Sequence, residues 1–224
     1  MYCILPRRPV FGPHWRGPFT RRVALFIDWQ NAYKSARTAF GLESYGNERG
    51  NFSPYALGRL LAAGNQRGFD GGELVLVQVH RGIPSNKHDP VGYAANRRQA
   101  TAWVRENEDV VKVRLRPLAY WSGPRGPAVE KGIDVELALA SVEHVLLKRC
   151  DTAIILSHDT DLAPAVELIA RLKGPAAVET VSWKSYGFSS RLKPISGVYH
   201  HAVSSEVFHR IETPINYAYL GSDN

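Results

Sequence analysis

Short apolar runs recur along the chain at intervals that leave room for one or two helices between them. Val23–Ile27 is wholly apolar and rich in β-branched residues. Glu73–His80 carries Leu74, Val75, Leu76, Val77 and Val79, Thr152–Leu156 is another such run, and Val178–Trp183 reads as a fifth strand. Runs of this length, apolar on both faces and bounded by turn residues, are the mark of central parallel strands. Val110–Leu118 differs. It alternates Val111, Val113 and Leu115 with Lys112, Arg114 and Arg116, which predicts a half-exposed strand with a basic face.

Helical spacing fills the intervals. Ala32–Phe40 stops at Gly41, a C′ glycine, and Ser53-Pro54 supplies an N-cap and a first-turn proline for a helix near Tyr55–Ala63. Val91–Asn107 turns Ala100, Trp103 and Val104 to one face. Ile133–Arg149 carries Lys148 and Arg149 at its negative end. Leu162–Leu172 is broken at Gly174-Pro175. The turn-rich stretches 42–52, 64–72, 81–90 and 122–127 read as loops, with Pro84 and Pro90 excluding regular structure from the third. Val198–Val203 reads as an added edge strand and Val207–Ile211 as a short terminal helix. Alternating strands and helices argue for one α/β domain with a parallel sheet covered on both faces.

Charge changes this picture at the amino end. Residues 1–21 hold Arg7, Arg8, Arg16 and Arg21, four prolines and no acidic residue, which predicts an extended basic arm. Such an arm can follow a phosphate backbone, serve as a tail or dock a second subunit, so a homo-oligomer is left open. The division expected is a basic arm over 1–21, an α/β domain over 22–184, and an extension over 185–224 packing on that domain. The net charge of +7 and the pI near 9.5 favour an anionic partner, nucleic acid being the commonest. Two cysteines, Cys3 and Cys150, give neither a disulfide framework nor a metal-binding spacing, and are expected as free thiols in a reducing cytoplasm. No apolar run approaches the ~20 residues of a membrane span, and the apolar start is too short for a signal peptide.

The candidate chemistry is acidic. Asp28 ends the first strand, and Asp159 and Asp161 follow the Thr152–Leu156 strand. Asp134 stands in the first turn of the helix that begins at Ile133. In doubly wound sheets ligands bind beyond the carboxyl ends of the strands, so carboxylates remote in sequence can converge there. Clustered carboxylates raise one another's pKa unless a cation joins them, and Mg²⁺ or Mn²⁺ suits oxygen donors. Such an ion can activate water and stabilise a phosphodiester under attack. The competing explanation for each acid alone is a helix cap, Asp28 capping the helix that follows it and Asp161 the helix at Leu162.

Three blocks sharpen this. Phe26-Ile27-Asp28-Trp29-Gln30-Asn31, Glu130-Lys131-Gly132-Ile133-Asp134-Val135 and Ile155-Leu156-Ser157-His158-Asp159-Thr160-Asp161 resemble, in order and spacing, the NYN family of PIN-like ribonuclease domains over about residues 22–184. The resemblance implies a PIN-like three-layer α/β/α fold with a central, mostly parallel sheet. It implies a Mg²⁺ or Mn²⁺ site built from Asp28, Asp134, Asp159 and Asp161 with Asn31 as a polar orienter, and single-stranded RNA as substrate. Three positions depart from the family pattern. Trp29 and His158 stand where glycines are usual, and Ala140 falls where many members carry a further Asp.

Around this set, Trp29 is a candidate stacking platform for a base, and Lys131 a point charge for a phosphate. Arg97, Arg98 and Arg114 are candidates for a phosphate-binding face, with Lys112 and Arg116 beside them. His158 is a candidate proton donor. His200, His201 and His209 lack ligand spacing and are expected at the surface. The functional expectation is a metal-dependent endoribonuclease in the cytoplasm. The rival is a nucleic-acid-binding module that keeps the fold without turnover, and a small-ester phosphohydrolase is disfavoured because no Asp-x-Asp begins at Asp28.

Overall fold

The structure is a computed structural model, and it describes residues 20–63, 71–120, 128–184 and 195–219. Most of the basic arm, Cys3 and the stretch 122–127 lie outside the described residues.

The strands are β1 (Arg22–Asp28), β2 (Glu73–Ile83), β3 (Val111–Pro117), a two-residue pair β4 (Ala119–Tyr120) and β5 (Ala128–Val129), β6 (Thr152–Leu156), β7 (Val178–Lys184) and β8 (Tyr199–Ser204). The helices are α1 (Trp29–Ala39), α2 (Pro54–Ala63), α3 (Pro90–Glu106), α4 (Ile133–Leu146), α5 (Ala163–Lys173) and α6 (Ser205–Ile211). Six strands form one sheet in the order β3-β2-β1-β6-β7-β8, and every neighbouring pair is parallel. The chain winds outward from β1 through β2 to β3. It then returns to β6 on the other side of β1 and winds outward again. The reversal sends the connections after β1 and β6 to opposite faces of the sheet, and it is beyond such strand ends that doubly wound folds hold their ligands.

The apolar runs are uninterrupted because both faces of the sheet are covered. Val23, Leu25 and Ile27 join the core under α1, α2, α3 and α6, while Ala24 and Phe26 join the core under α4 and α5. Successive side chains of a strand point to opposite faces, so β1 must be apolar at every position to serve two cores. The first core is dominated by aromatic rings: Trp29 lies 4.2 Å from Trp103 and 4.7 Å from Phe52 between ring centroids, and Trp183 and Phe208 complete the cluster. Truncating any one of these would cost about 3–5 kcal/mol.

The predicted caps are present. Gly41 has φ +66°, and Ser53 Oγ accepts from the Ala56 N–H at 3.0 Å at the start of α2. Two expectations fail. Residues 81–83 continue β2 instead of opening the loop, because the polar groups of His80 and Arg81 are buried (1% and 8% exposed) and pair as strand residues with Arg114 and Leu115. Arg21, expected in a free arm, donates to Glu179 Oε1 at 2.7 Å.

One side chain organises the loop after α1. Arg37 donates from Nη1 to the carbonyls of Gly46 (2.8 Å) and Arg49 (2.7 Å), and from Nη2 to those of Glu43 (3.1 Å) and Tyr45 (2.9 Å).

Candidate active site

Asp28 is the last residue of β1 and the N-cap of α1. Its Oδ1 accepts from the Asn31 N–H at 3.3 Å, so the capping explanation holds for this residue. Its other oxygen, Oδ2, accepts at 3.2 Å from the Oγ of Ser157, the residue that follows the neighbouring strand β6. Ser157 Oγ in turn accepts from the Asp159 N–H at 3.1 Å, and Asp159 Oδ1 accepts from the Asp161 N–H at 3.0 Å. It is thus Asp159, not Asp161, that caps the short 3-10 turn Thr160–Leu162 leading into α5. Asn31 closes the other side, its Oδ1 accepting from the His158 N–H at 2.7 Å. Asp28, Asn31, Ser157 and Asp159 therefore form one hydrogen-bonded seam at the switch point of the sheet.

The electrostatics of this seam are unfavourable to charge. Burial pushes the Asp28 carboxyl up to about 6, and the neighbouring carboxylates of Glu130 and Asp159 push the same way. The hydrogen bonds from Asn31 and Ser157 only partly oppose them. Among the described residues none of Asp28, Glu130, Asp134, Asp159 and Asp161 carries an ion pair. An unpaired, desolvated carboxylate with like-charged neighbours has the chemistry that a hard cation would relieve. The arrangement is incomplete as a cage, however. No group of three or more His, Cys, Asp or Glu among the described residues is arranged to hold a metal ion.

Asp134 lies half-buried in the first turn of α4, which packs on β1 and on the Thr160–Leu162 turn. Gly132 precedes it at φ +71°, a conformation that glycine adopts without strain. Glu130, not Asp134, is the acid of this block that acts most strongly on Asp28. Its Oε1 accepts from the Gly82 N–H at 3.1 Å, which ties it to the end of β2. Sequence reasoning passed over Glu130 because its placement depends on the β4–β5 pair, too short to show any periodicity. It also passed over Ser157, although the hydroxyl stands within the third block.

Several nucleic-acid candidates take other roles. Trp29 is 1% exposed within the aromatic core, so it is not the base platform its place beside Asp28 suggested. Arg98 spends its guanidinium on the carbonyls of Tyr217 (2.7 Å) and Ala218 (3.1 Å), pinning the C-terminal segment. Arg97 is exposed on α3. Arg114 is exposed on the face of β3 turned away from that helix, so the three arginines do not form one surface. Lys131 is exposed beside Glu130.

His158 is 6% exposed, and burial, with the charge of His200, lowers its pKa to about 4, which suits a neutral buried ring better than a proton donor near neutrality. His200 and His201 are not simple surface residues. His200 hydrogen-bonds Thr180 (2.8 Å) and Ser182 (2.9 Å), and His201 pairs with Glu179 (2.7 Å). Cys150 is a buried free thiol that burial pushes up to about 12.

Beside the seam, a cavity of about 920 Å³ opens between α1, the end of β2, α3 and residues 215–218. Arg81 and Glu130 both line it.

A doubly wound sheet with acidic residues at its switch point defines the class: a PIN-like, nuclease-type α/β/α fold. The NYN domain model matches residues 22–192, and the chain belongs to that family. Among solved structures, a protein of unknown function from Vibrio parahaemolyticus aligns with 85% of this chain and 96% of its own at TM-score 0.52 and 20% identity, a likeness of fold alone. No curated protein matches the sequence. Among the described residues no helix is long and apolar enough to cross a membrane.

Proposed function

We propose that this NYN domain is a metal-dependent endoribonuclease acting on single-stranded RNA, with the seam at the ends of β1 and β6 as its centre. The observation that carries the reading is Asp28: a buried carboxyl pushed up to about 6, faced by Glu130 and Asp159, and without an ion pair among the described residues. Asp28 and Asp159 would hold Mg²⁺ or Mn²⁺, with Asp134, Asp161 and Glu130 supplying further donors directly or through water. The ion would supply Lewis-acid stabilisation of the phosphodiester and a more acidic water. The chain's own contribution is orientation. Ser157 fixes one oxygen of Asp28, and Asn31 holds the backbone that carries Asp159. Lys131, Arg97 and Arg114 remain candidates for phosphate contacts.

A second reading is favoured by Ala140, half-buried on α4 where many family members carry an acid, and by the lack of a closed three-donor cage. On that reading the domain binds nucleic acid without cleaving it. Incubation of labelled single-stranded RNA with the protein and Mn²⁺, against EDTA and an Asp28→Asn/Asp159→Asn double variant, separates the two. The nuclease reading expects metal-dependent cleavage to fall by at least about a hundredfold in the folded double variant. Cleavage that survives both substitutions would refute it, and binding without cleavage by the wild type would establish the second reading.

A further inference from the structure

Arg81 is a buried cation, 8% exposed, with no carboxylate paired against it among the described residues. Nη1 donates to Gln99 Oε1 at 2.6 Å, while Nε has no hydrogen-bond partner. The guanidinium lies 5.9 Å from the centroid of Trp29 and 5.8 Å from that of Trp103, so one side is closed by aromatic faces. Burial lowers its pKa to about 10 even though Glu130 acts in the opposite direction. A desolvated arginine is normally retained only with a carboxylate or phosphate against it. Here Arg81 instead lines an open cavity of about 920 Å³.

The cavity's position gives that missing anion a context. Glu130 bonds to Gly82 and acts on both Arg81 and Asp28, so the guanidinium and the carboxylate seam flank one residue. Tyr33 and Tyr120 also line the cavity, as does Lys34; the carboxylates of Glu48 and Asp89 line it too, and neither forms an ion pair with Arg81 among the described residues. Asp89 is exposed and turned to the Gly92 N–H (2.8 Å) as the cap of α3.

We propose that this cavity is a nucleotide phosphate pocket in which Arg81 holds a phosphate group beside the one presented to the carboxylates. The inference rests on the nucleic-acid reading above but not on turnover. An arginine fork, planar by its own delocalisation, matches a phosphate in two hydrogen bonds, and the indole rings of Trp29 and Trp103 beside it limit its orientations.

Binding of fluorescent single-stranded RNA, measured by anisotropy in EDTA across a salt series, tests this on the full chain. Arg81→Met should weaken binding about tenfold or more and reduce the slope of log K against log salt by about 0.7, the loss of one phosphate contact. Arg81→Lys should retain the slope but bind several-fold more weakly, because an ammonium lacks the fork. Thermal melting separates a ligand role from a structural one. Arg81→Met should melt at or above the wild-type temperature, since it removes an uncompensated buried charge, whereas a structural arginine would lower it. Competition by adenosine monophosphate and by inorganic phosphate distinguishes the sources. Arg81-dependent binding of the monophosphate without Arg81-dependent RNA binding assigns the pocket to free nucleotides. Wild-type affinity and slope for RNA in both variants, with no Arg81-dependent monophosphate binding, would overturn the proposal, and if Arg81→Met does not fold, Arg81→Lys alone decides. A wild type that binds RNA through Arg81 but never cleaves it sinks the nuclease reading and leaves this one standing.

Discussion

The two ends of the same strands treat acidic side chains in opposite ways. At the amino ends, Asp151 receives two hydrogen bonds from the Arg22 guanidinium, and Glu179 lies between Arg21 and His201, each 2.7 Å away. At the carboxyl ends, Asp28, Asp159 and Glu130 form no ion pair among the described residues, in a chain of net charge +7. Burial alone does not explain the contrast, since Glu179 (3% exposed) is at least as buried as Asp28 (8%). Burial pushes both carboxyls up. His201 and Arg21 outweigh it at Glu179, which ends below its ordinary value, whereas nothing outweighs it at Asp28. One end is built for stability, and the other keeps a carboxylate in a state that a cation would improve.

Substitutions at the two ends should therefore move stability in opposite directions. The largest effect belongs to Arg21→Ala, which leaves Glu179 buried with His201 as its remaining partner. A loss of about 3 kcal/mol in urea unfolding at neutral pH is expected. Because the Glu179 pKa is depressed in the folded state, this contribution is present above the unfolded value and fades as pH falls through the folded one. A variant as stable as the wild type would show that the pairing is incidental.

Asp28→Asn should do the reverse. A carboxyl raised from 3.8 to about 6 is stabilising to neither state below pH 4 and costs the folded state progressively between pH 4 and 6. Above pH 6 the full cost applies, and removing it should raise stability by about 2–3 kcal/mol without metal. The same variant should lose any stabilisation by added Mn²⁺. Equal or lower stability at pH 7, with an unchanged pH profile, would mean that the seam tolerates the charge.

The smallest effect is expected at Asp151→Asn. Its pair with Arg22 has side chains 46% and 39% exposed, and solvent screens such pairs so that little stability rests on them. A change comparable to that of Arg21→Ala would show that exposure does not rank these pairs.

The same contrast explains what could be read before the fold was known. The buried strands were legible because two covered faces demand unbroken apolar runs, and Thr152–Leu156 agrees with β6 at both ends. The acids at the strand ends were legible from their blocks. Residues 81–83 were misread because the rule that polar means exposed fails for His80 and Arg81, which sit inside. Trp29 was misread for the complementary reason: a ring next to a catalytic-looking Asp can still be core when α3 supplies Trp103 to cover it. Glu130 depended on two two-residue strands that no window of periodicity can reveal.

The clamp formed by Arg37 has a consequence for how the family can vary. Residues 43–49 are gripped at four carbonyls by one guanidinium, and the side chains of Glu43 and Arg49 anchor the two ends of the segment to Thr38 and Glu212. That segment includes Asn47 and Glu48, which border the cavity. The side chains of Asn47 and Glu48 take no part in that grip, so substitutions at these two positions should change the cavity wall while the backbone stays in place. Loss of Arg37 would remove that freedom in a single step.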